Sequence, residues 1–136
     1  MFREDFVWGV ASSAYQVEGT DAADGRGACV WDMFAADGRV FEHQNADTSC
    51  DHMHHYKEDI ALMRHLGIRA YRFSLNWARI LPEGTGRVNE KAIAMYRDMI
   101  LTMKENGITP YLTLFHWEFP QALYERGGWQ NPDVVQ

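Results

Sequence analysis

Apolar residues in this chain fall into short runs and helically spaced stripes. Phe6 to Val10 is a continuous run that predicts a short buried strand. A segment rich in Gly, Ala and Asp follows, from about Ala11 to Asp51. Asp51 stands as an N-cap before Tyr56, Ile60 and Met63, with Leu62 and Leu66 at helical spacing, and Gly67 takes the place of a C′ glycine. Ile68 to Leu75 reads as a second strand, and Pro82, Gly84 and Gly86 mark a loop. Asn89 caps a second helix with the stripe Ile93, Tyr96, Met99, Ile100 and Met103, which Gly107 stops. Ile108 to Phe115 predicts a third strand, with Pro110 tolerable near its start, and a short helical turn covers Pro120 to Arg126.

Part of this pattern repeats. Gly67, Ile68, Tyr71, Leu75 and Trp77 match Gly107, Ile108, Tyr111, Phe115 and Trp117, each pair 40 positions apart. Each helix ends in Gly-Ile, enters a strand almost at once, and the strand leaves through a Trp. Strands joined by helices are most easily parallel. The strand-to-helix connections are long, about 40 residues after the first strand and over a dozen after the second, against a usual few. Long loops therefore gather at the carboxyl ends of the strands. That is the functional face of a (β/α) barrel, and an open doubly wound sheet uses the same ends. Gly25-Arg26-Gly27 and Gly84-Thr85-Gly86 lack the strand-turn-helix setting of a phosphate loop. Asn131-Pro132-Asp133 encodes an N-cap, a Pro at N1 and an acid in the first turn. A helix start so close to Gln136 predicts a truncated, single partial domain over 1–136.

Composition narrows the function. The 136 residues suffice for one domain, and 46% apolar content supports a packed core. A net charge of -6 argues against nucleic acid, which needs a basic surface, and against an anionic membrane. No apolar run approaches the roughly 20 residues of a membrane span. Met1-Phe2-Arg3-Glu4-Asp5 leads straight into the first strand with no basic leader region, and Cys29 and Cys50 form no scaffold pattern. The expectation is a cytoplasmic protein with two free thiols. Aromatics are abundant, and most are expected in the core, with sugar platforms as a minority use.

The motifs carry a more specific likeness. Phe6-Val7-Trp8-Gly9-Val10-Ala11-Ser12-Ser13-Ala14-Tyr15-Gln16-Val17-Glu18-Gly19 resembles the N-terminal signature of family 1 glycoside hydrolases. Asp24-Gly25-Arg26-Gly27 and Trp31-Asp32 follow as in that family. Cys50-Asp51-His52 with Tyr56-Lys57-Glu58-Asp59 resembles its first helix, and Tyr71-Arg72-Phe73-Ser74 its second strand. Leu114-Phe115-His116-Trp117-Glu118-Phe119-Pro120 resembles the end of its third strand, where the family usually has His-Trp-Asp-Leu-Pro. The resemblance implies the first three strands of a (β/α)8 TIM barrel, incomplete here, from a retaining β-glycosidase of β-glucosidase type acting in carbohydrate metabolism. One Glu protonates the leaving oxygen and a second attacks the anomeric carbon, the carboxyls about 5 Å apart. In the family these lie in Asn-Glu-Pro after the fourth strand and Glu-Asn-Gly after the seventh. Neither motif occurs in this chain: Asn89-Glu90 is followed by Lys91. The catalytic pair is thus expected beyond Gln136, and the isolated chain is expected to be inactive.

The same resemblance assigns supporting residues. Gln16 corresponds to a Gln that binds sugar hydroxyls, and an amide offers both donor and acceptor to a vicinal diol. Read without the family, it is a surface loop residue. His116 and Trp117 correspond to neighbouring sugar contacts, against ordinary roles in a barrel rim and a core. Arg72 corresponds to an Arg beside the nucleophile, where a guanidinium keeps a carboxylate ionised, and also suits a paired Arg inside the barrel. Glu18 takes a supporting role as partner of an Arg. Cys50, His52, His54 and His55 resemble a metal cluster in composition, but His54 points away from the face shared by His52 and His55, and the family binds no metal there. Trp31 is assigned to packing of the long loop. No cofactor or metal is expected. The partner is a β-glycoside in the complete enzyme. Two other readings stay open: half of a split enzyme with a separately encoded C-terminal fragment, and a non-catalytic sugar-binding remnant. Family residues that separate glucosides from galactosides, fucosides and 6-phosphoglycosides lie largely beyond Gln136.

Overall fold

The computed structural model describes residues 2–20 and 22–135. Met1 and Gln136, the two ends of the sequence reading, lie outside the described residues. Along the chain run β1 (Gly9–Ala11), α1 (Ala14–Val17), α2 (Val30–Ala36), α3 (His52–His65), β2 (Ala70–Ser74), α4 (Trp77–Ile80), α5 (Glu90–Glu105), β3 (Thr109–Thr113) and α6 (Gln121–Glu125). The strands form one parallel sheet in the order β1-β2-β3. With helices returning the chain between strands, this is the opening arc of an incomplete (β/α)8 barrel.

The Gly-Ile repeat has a local cause. Gly67 and Gly107 adopt φ of 75° and 71°. After α3, Gly67 N–H donates to Arg64 O (3.0 Å) and Ile68 N–H to Met63 O (3.0 Å). After α5, Gly107 N–H donates to Lys104 O (3.0 Å) and Ile108 N–H to Met103 O (2.9 Å). Both are Schellman closures, which need a left-handed C′ residue and bring the next apolar residue back onto the helix. A Cβ on either glycine meets nothing within 4 Å, so backbone conformation and not space selects Gly.

Two sequence expectations shift at the element level. The first strand was expected over Phe6–Val10, but pairing runs only from Gly9 to Ala11. Trp8 O still accepts Arg69 N–H at 3.0 Å, while Phe2, Phe6 and Trp8 stack on one another and remain exposed. One flank of β1 has no neighbouring strand among the described residues, so the run is not buried. Asp51 does stand at the N-cap of α3, but its backbone is left-handed (φ 50°) and its side chain makes no cap bond. Its carboxylate instead accepts from His54 Nδ1 at 2.6 Å.

The repeat also conceals a change of face. Repeat mates are 40 positions apart, whereas the sheet aligns Ala70 with Thr109 and Arg72 with Tyr111, a difference of 39. A one-residue offset reverses the face of a strand side chain. Tyr71 therefore points outward into the helical layer and is 3% exposed. Its mate Tyr111 lies level with Arg72 on the inner face. The core is the outer face of β2 under α3 and α5: Tyr71 and Phe73 pack with Met53, Ile60, Tyr96, Met99, Met103 and Ile108. Leu62 and Leu66, helically spaced in the sequence, lie on the open side of α3 and are exposed.

Candidate functional site

The loops after β1, β2 and β3 meet at the carboxyl ends of the strands. After β1 the chain crosses β2 through Ser12, whose N–H donates to Arg72 O (2.9 Å) and whose hydroxyl bonds the Tyr71 hydroxyl. It then makes the single turn α1. The first free N–H groups of that turn need outside acceptors. Ser13 supplies no side-chain cap. Ala14 N–H instead donates to Ser74 Oγ (2.7 Å), at the end of β2, and Tyr15 N–H to Glu118 Oε1 (2.8 Å), in the loop after β3. Gln16 follows, with its side chain exposed.

A buried ionic network holds the far side of this turn. Arg79, 1% exposed, sends Nε to Glu18 Oε2 (3.1 Å), Nη2 to Gly19 O (2.8 Å) and Nη1 to Asp24 Oδ2 (3.4 Å). Tyr96 hydroxyl donates to Glu18 Oε1 (2.6 Å) and accepts Asn76 N–H (3.0 Å). Asp24 extends the network to Lys91 Nζ at 2.7 Å. Burial pushes the Glu18 carboxyl up, while Arg79 and the Tyr96 hydroxyl pull it back down. Glu18 is thus paired with an Arg, and that Arg is Arg79, on α4.

The long loop after β1 is pinned to the loop after β3. Val30 N–H donates to Phe119 O and Gln121 N–H to Ala28 O, both at 2.9 Å. Asp32 binds Arg26 Nη1 (2.8 Å) and accepts Cys29 N–H (2.7 Å), which explains the Asp-Gly-Arg-Gly and Trp-Asp motifs as loop anchors. Burial raises the Cys29 thiol to about 11, so it is an inert packing group. Gly27 is required by contact: a Cβ there lies 2.0 Å from Pro82 O.

These anchors bring Gln16, His116 and Trp117 to one cleft of about 340 Å³, within the range of small-molecule sites. Ser13, Tyr15, Trp31 and Ala46 also line it. Trp117 is 63% exposed and holds φ 77°, a conformation that a bulky residue adopts only when its surroundings impose it. His116 lies against it, ring centroids 4.9 Å apart. Trp31, assigned from the sequence to packing, does pack on Phe34 (5.6 Å), yet it also lines the cleft beside Tyr15. Burial raises the Tyr15 hydroxyl to about 12, so it stays protonated.

Arg72 does not line this cleft. It lies on the inner face of β2, half-buried, with Nη1 donating to Ser12 O at 3.2 Å. The histidines do not converge. His52 is buried on Asp59 (2.6 Å) and edge-on to Tyr71, whereas His54 and His55 are exposed beside Asp51. Among the described residues no group of three His, Cys, Asp or Glu side chains is arranged to hold a metal, and no helix is long and apolar enough to cross a membrane. A second, larger groove of about 880 Å³ lies on the other side of Trp117, walled by Phe115, Phe119 and Trp129. Its walls are mainly apolar, with Tyr124 and Glu125 also in the lining. Sequence reasoning also passed over Glu118, whose carboxyl ties the first loop to the third. The signal was its place in the motif, where the family pattern has the shorter Asp.

The whole sequence, residues 1–136, matches the profile of glycosyl hydrolase family 1. It is similar to beta-glucosidase A of Acetivibrio thermocellus, 47% identical over 98% of this chain and 30% of the relative. It is also similar to the aryl-phospho-beta-D-glucosidase BglC of Bacillus subtilis, 44% identical over 99% of this chain and 29% of the relative. The solved structure of a beta-glucosidase from Thermotoga maritima in complex with deoxynojirimycin superposes with a TM-score of 0.93 at 48% identity, covering 98% of this chain and 31% of that one. The chain thus spans about 30% of the length of these relatives.

Proposed function

This chain belongs to glycosyl hydrolase family 1, and from that premise we propose that it supplies one wall of the sugar site of a β-glucosidase-like enzyme that hydrolyses β-glycosides with retention. The observation that carries this reading is the convergence of Gln16 and His116, 100 positions apart, on one cleft at the carboxyl ends of parallel strands. In this reading the Gln16 amide pairs with adjacent sugar hydroxyls, His116 binds a further hydroxyl, and the exposed Trp117 offers its indole N–H and ring face. Arg72, beside the barrel interior, holds the nucleophile's carboxylate ionised. Strands four to eight, continuous with this chain or separately encoded, bring the acid/base and the nucleophile. No cofactor takes part. A reducing, cytoplasmic setting suits the free thiols Cys29 and Cys50.

The 136 residues alone are then inactive, because no Asn-Glu-Pro or Glu-Asn-Gly motif occurs among them. The test is hydrolysis of an aryl β-glucoside by the complete barrel and by the isolated chain, with the anomer of the first-formed sugar read by proton NMR. Turnover confined to the complete barrel and a β-anomeric first product are expected. An α-anomeric first product, or turnover that co-purifies with the isolated chain, overturns the reading.

A further inference from the structure

The turn that carries Gln16 cannot hold itself. A helix of four residues has one full backbone closure, Glu18 N–H to Ala14 O at 2.9 Å, and a single turn is costly to nucleate. Its place is set by what its leading N–H groups find. Ser74 takes one from the end of β2, and Glu118 takes the other from the loop that bears His116 and Trp117. Glu118 is 1% exposed. Its Oε1 accepts Tyr15 N–H, and its Oε2 has no hydrogen-bond partner among the described residues. Burying a carboxyl with an orphaned oxygen destabilises a fold, and among the described residues the one polar contact this side chain makes outside its own loop is to α1. That contact bridges the two loops whose side chains face each other across the cleft.

We propose that Glu118 is a positioning residue: by accepting the Tyr15 N–H it sets where Gln16 stands relative to His116 and Trp117 in the sugar site. This rests on the proposed sugar-binding role of the cleft. Glu118 acts as an acceptor of fixed reach and not as a charge. Its amide isostere keeps that acceptor, an apolar residue of similar size deletes it, and Asp draws it back by one methylene.

The test is a double-mutant cycle in the complete barrel, read as kcat/KM on an aryl β-glucoside. Glu118→Leu is expected to lower kcat/KM about tenfold or more, while Glu118→Gln stays within about threefold of the parent. On a Gln16→Ala background, Glu118→Leu adds less than about threefold, because the residue it positions is gone. A loss in Glu118→Gln as deep as in Glu118→Leu overturns the proposal, as does full additivity with Gln16→Ala. If Glu118→Leu does not fold, Glu118→Asp takes its place in the cycle under the same criteria. A parent barrel that hydrolyses no β-glucoside refutes the proposed function instead. Hydrogen exchange at the Tyr15 amide then decides the positioning: faster exchange in Glu118→Asp but not in Glu118→Gln supports it, and unchanged exchange in both overturns it.

Discussion

Replacing Arg79 by Met isolates the most consequential polar group in this chain. The substitution keeps an apolar stem of similar length and removes the guanidinium that meets Glu18, Gly19 O and Asp24. Glu18 is then left buried with the Tyr96 hydroxyl alone. The cost has a ceiling, since an uncompensated carboxylate can take a proton instead of staying charged. From an ordinary value of 4.5, neutralising it at pH 7 costs about 1.36 × 2.5, or ~3.4 kcal/mol. Loss of the bond to Gly19 O adds ~1 kcal/mol, giving ~3–5 kcal/mol, the range for breaking a buried pair from one side. At pH 5 the same ceiling falls to ~0.7 kcal/mol. Burial already raises Glu18, so its contribution to stability is complete below the unfolded value and falls as pH rises through the folded one. Deleting Arg79 raises the folded value further, so the fall above the unfolded value becomes deeper and extends to higher pH. Urea unfolding of the complete barrel, parent against Arg79→Met, should show a deficit that is largest at pH 7 and shrinks toward pH 5, by at most ~2.7 kcal/mol because the parent's Glu18 is itself raised. Glu18→Gln added to Arg79→Met should recover most of the pH 7 loss. A deficit below ~1 kcal/mol, or one that does not change with pH, refutes the buried-pair account.

Other outcomes follow from the same geometry. In the complete barrel, Gln16→Ala and His116→Ala should each cost ~2 kcal/mol in kcat/KM, about 30-fold, as sugar hydrogen bonds that tighten in the transition state are lost; near-parental kinetics would show that the cleft is not the sugar site. Gly27→Ala should destabilise by more than ~3 kcal/mol, because its Cβ lies 2.0 Å from Pro82 O and backbone must move, and thermal unfolding reads this directly. The isolated chain should self-associate through the open flanks of β1 and β3, where Trp8, Tyr111 and Leu114 are exposed. Size-exclusion chromatography with near-UV circular dichroism tests this, and a monomer with sharp aromatic signals and a cooperative melt contradicts it.

What could be read in the sequence is whatever the chain encodes locally. The Gly-Ile pairs announce helix closure because left-handed C′ backbone selects glycine at that point. Asn89 before α5 was legible because an N-cap selects a short side-chain acceptor, and its Oδ1 does accept Ala92 N–H at 3.3 Å. The order of strands and helices, the asymmetry of loop lengths and the family motifs all lie along the chain, and they suffice for fold class and family. The partner of Glu18 was foreseen in kind but not in identity, since nothing local distinguishes Arg79 from the other arginines.

The tertiary structure decided what depends on contacts between distant residues. A register of 39 against a repeat of 40 sent Tyr71 into the core and Tyr111 to the inner face, and register is a property of two strands, not one. Phe6–Trp8 reads as a buried strand only if both flanks are paired, and among the described residues one flank has no strand beside it. Trp31 reached the cleft because the segment around Cys29 pairs with Pro120, 91 positions away. Glu118 looked like a small departure from a motif until its carboxyl was seen to hold the Tyr15 amide, 103 positions away. Periodicity and caps report on neighbours within a few residues, whereas the cleft is lined by two loops, after β1 and after β3, that only the parallel sheet brings to one edge.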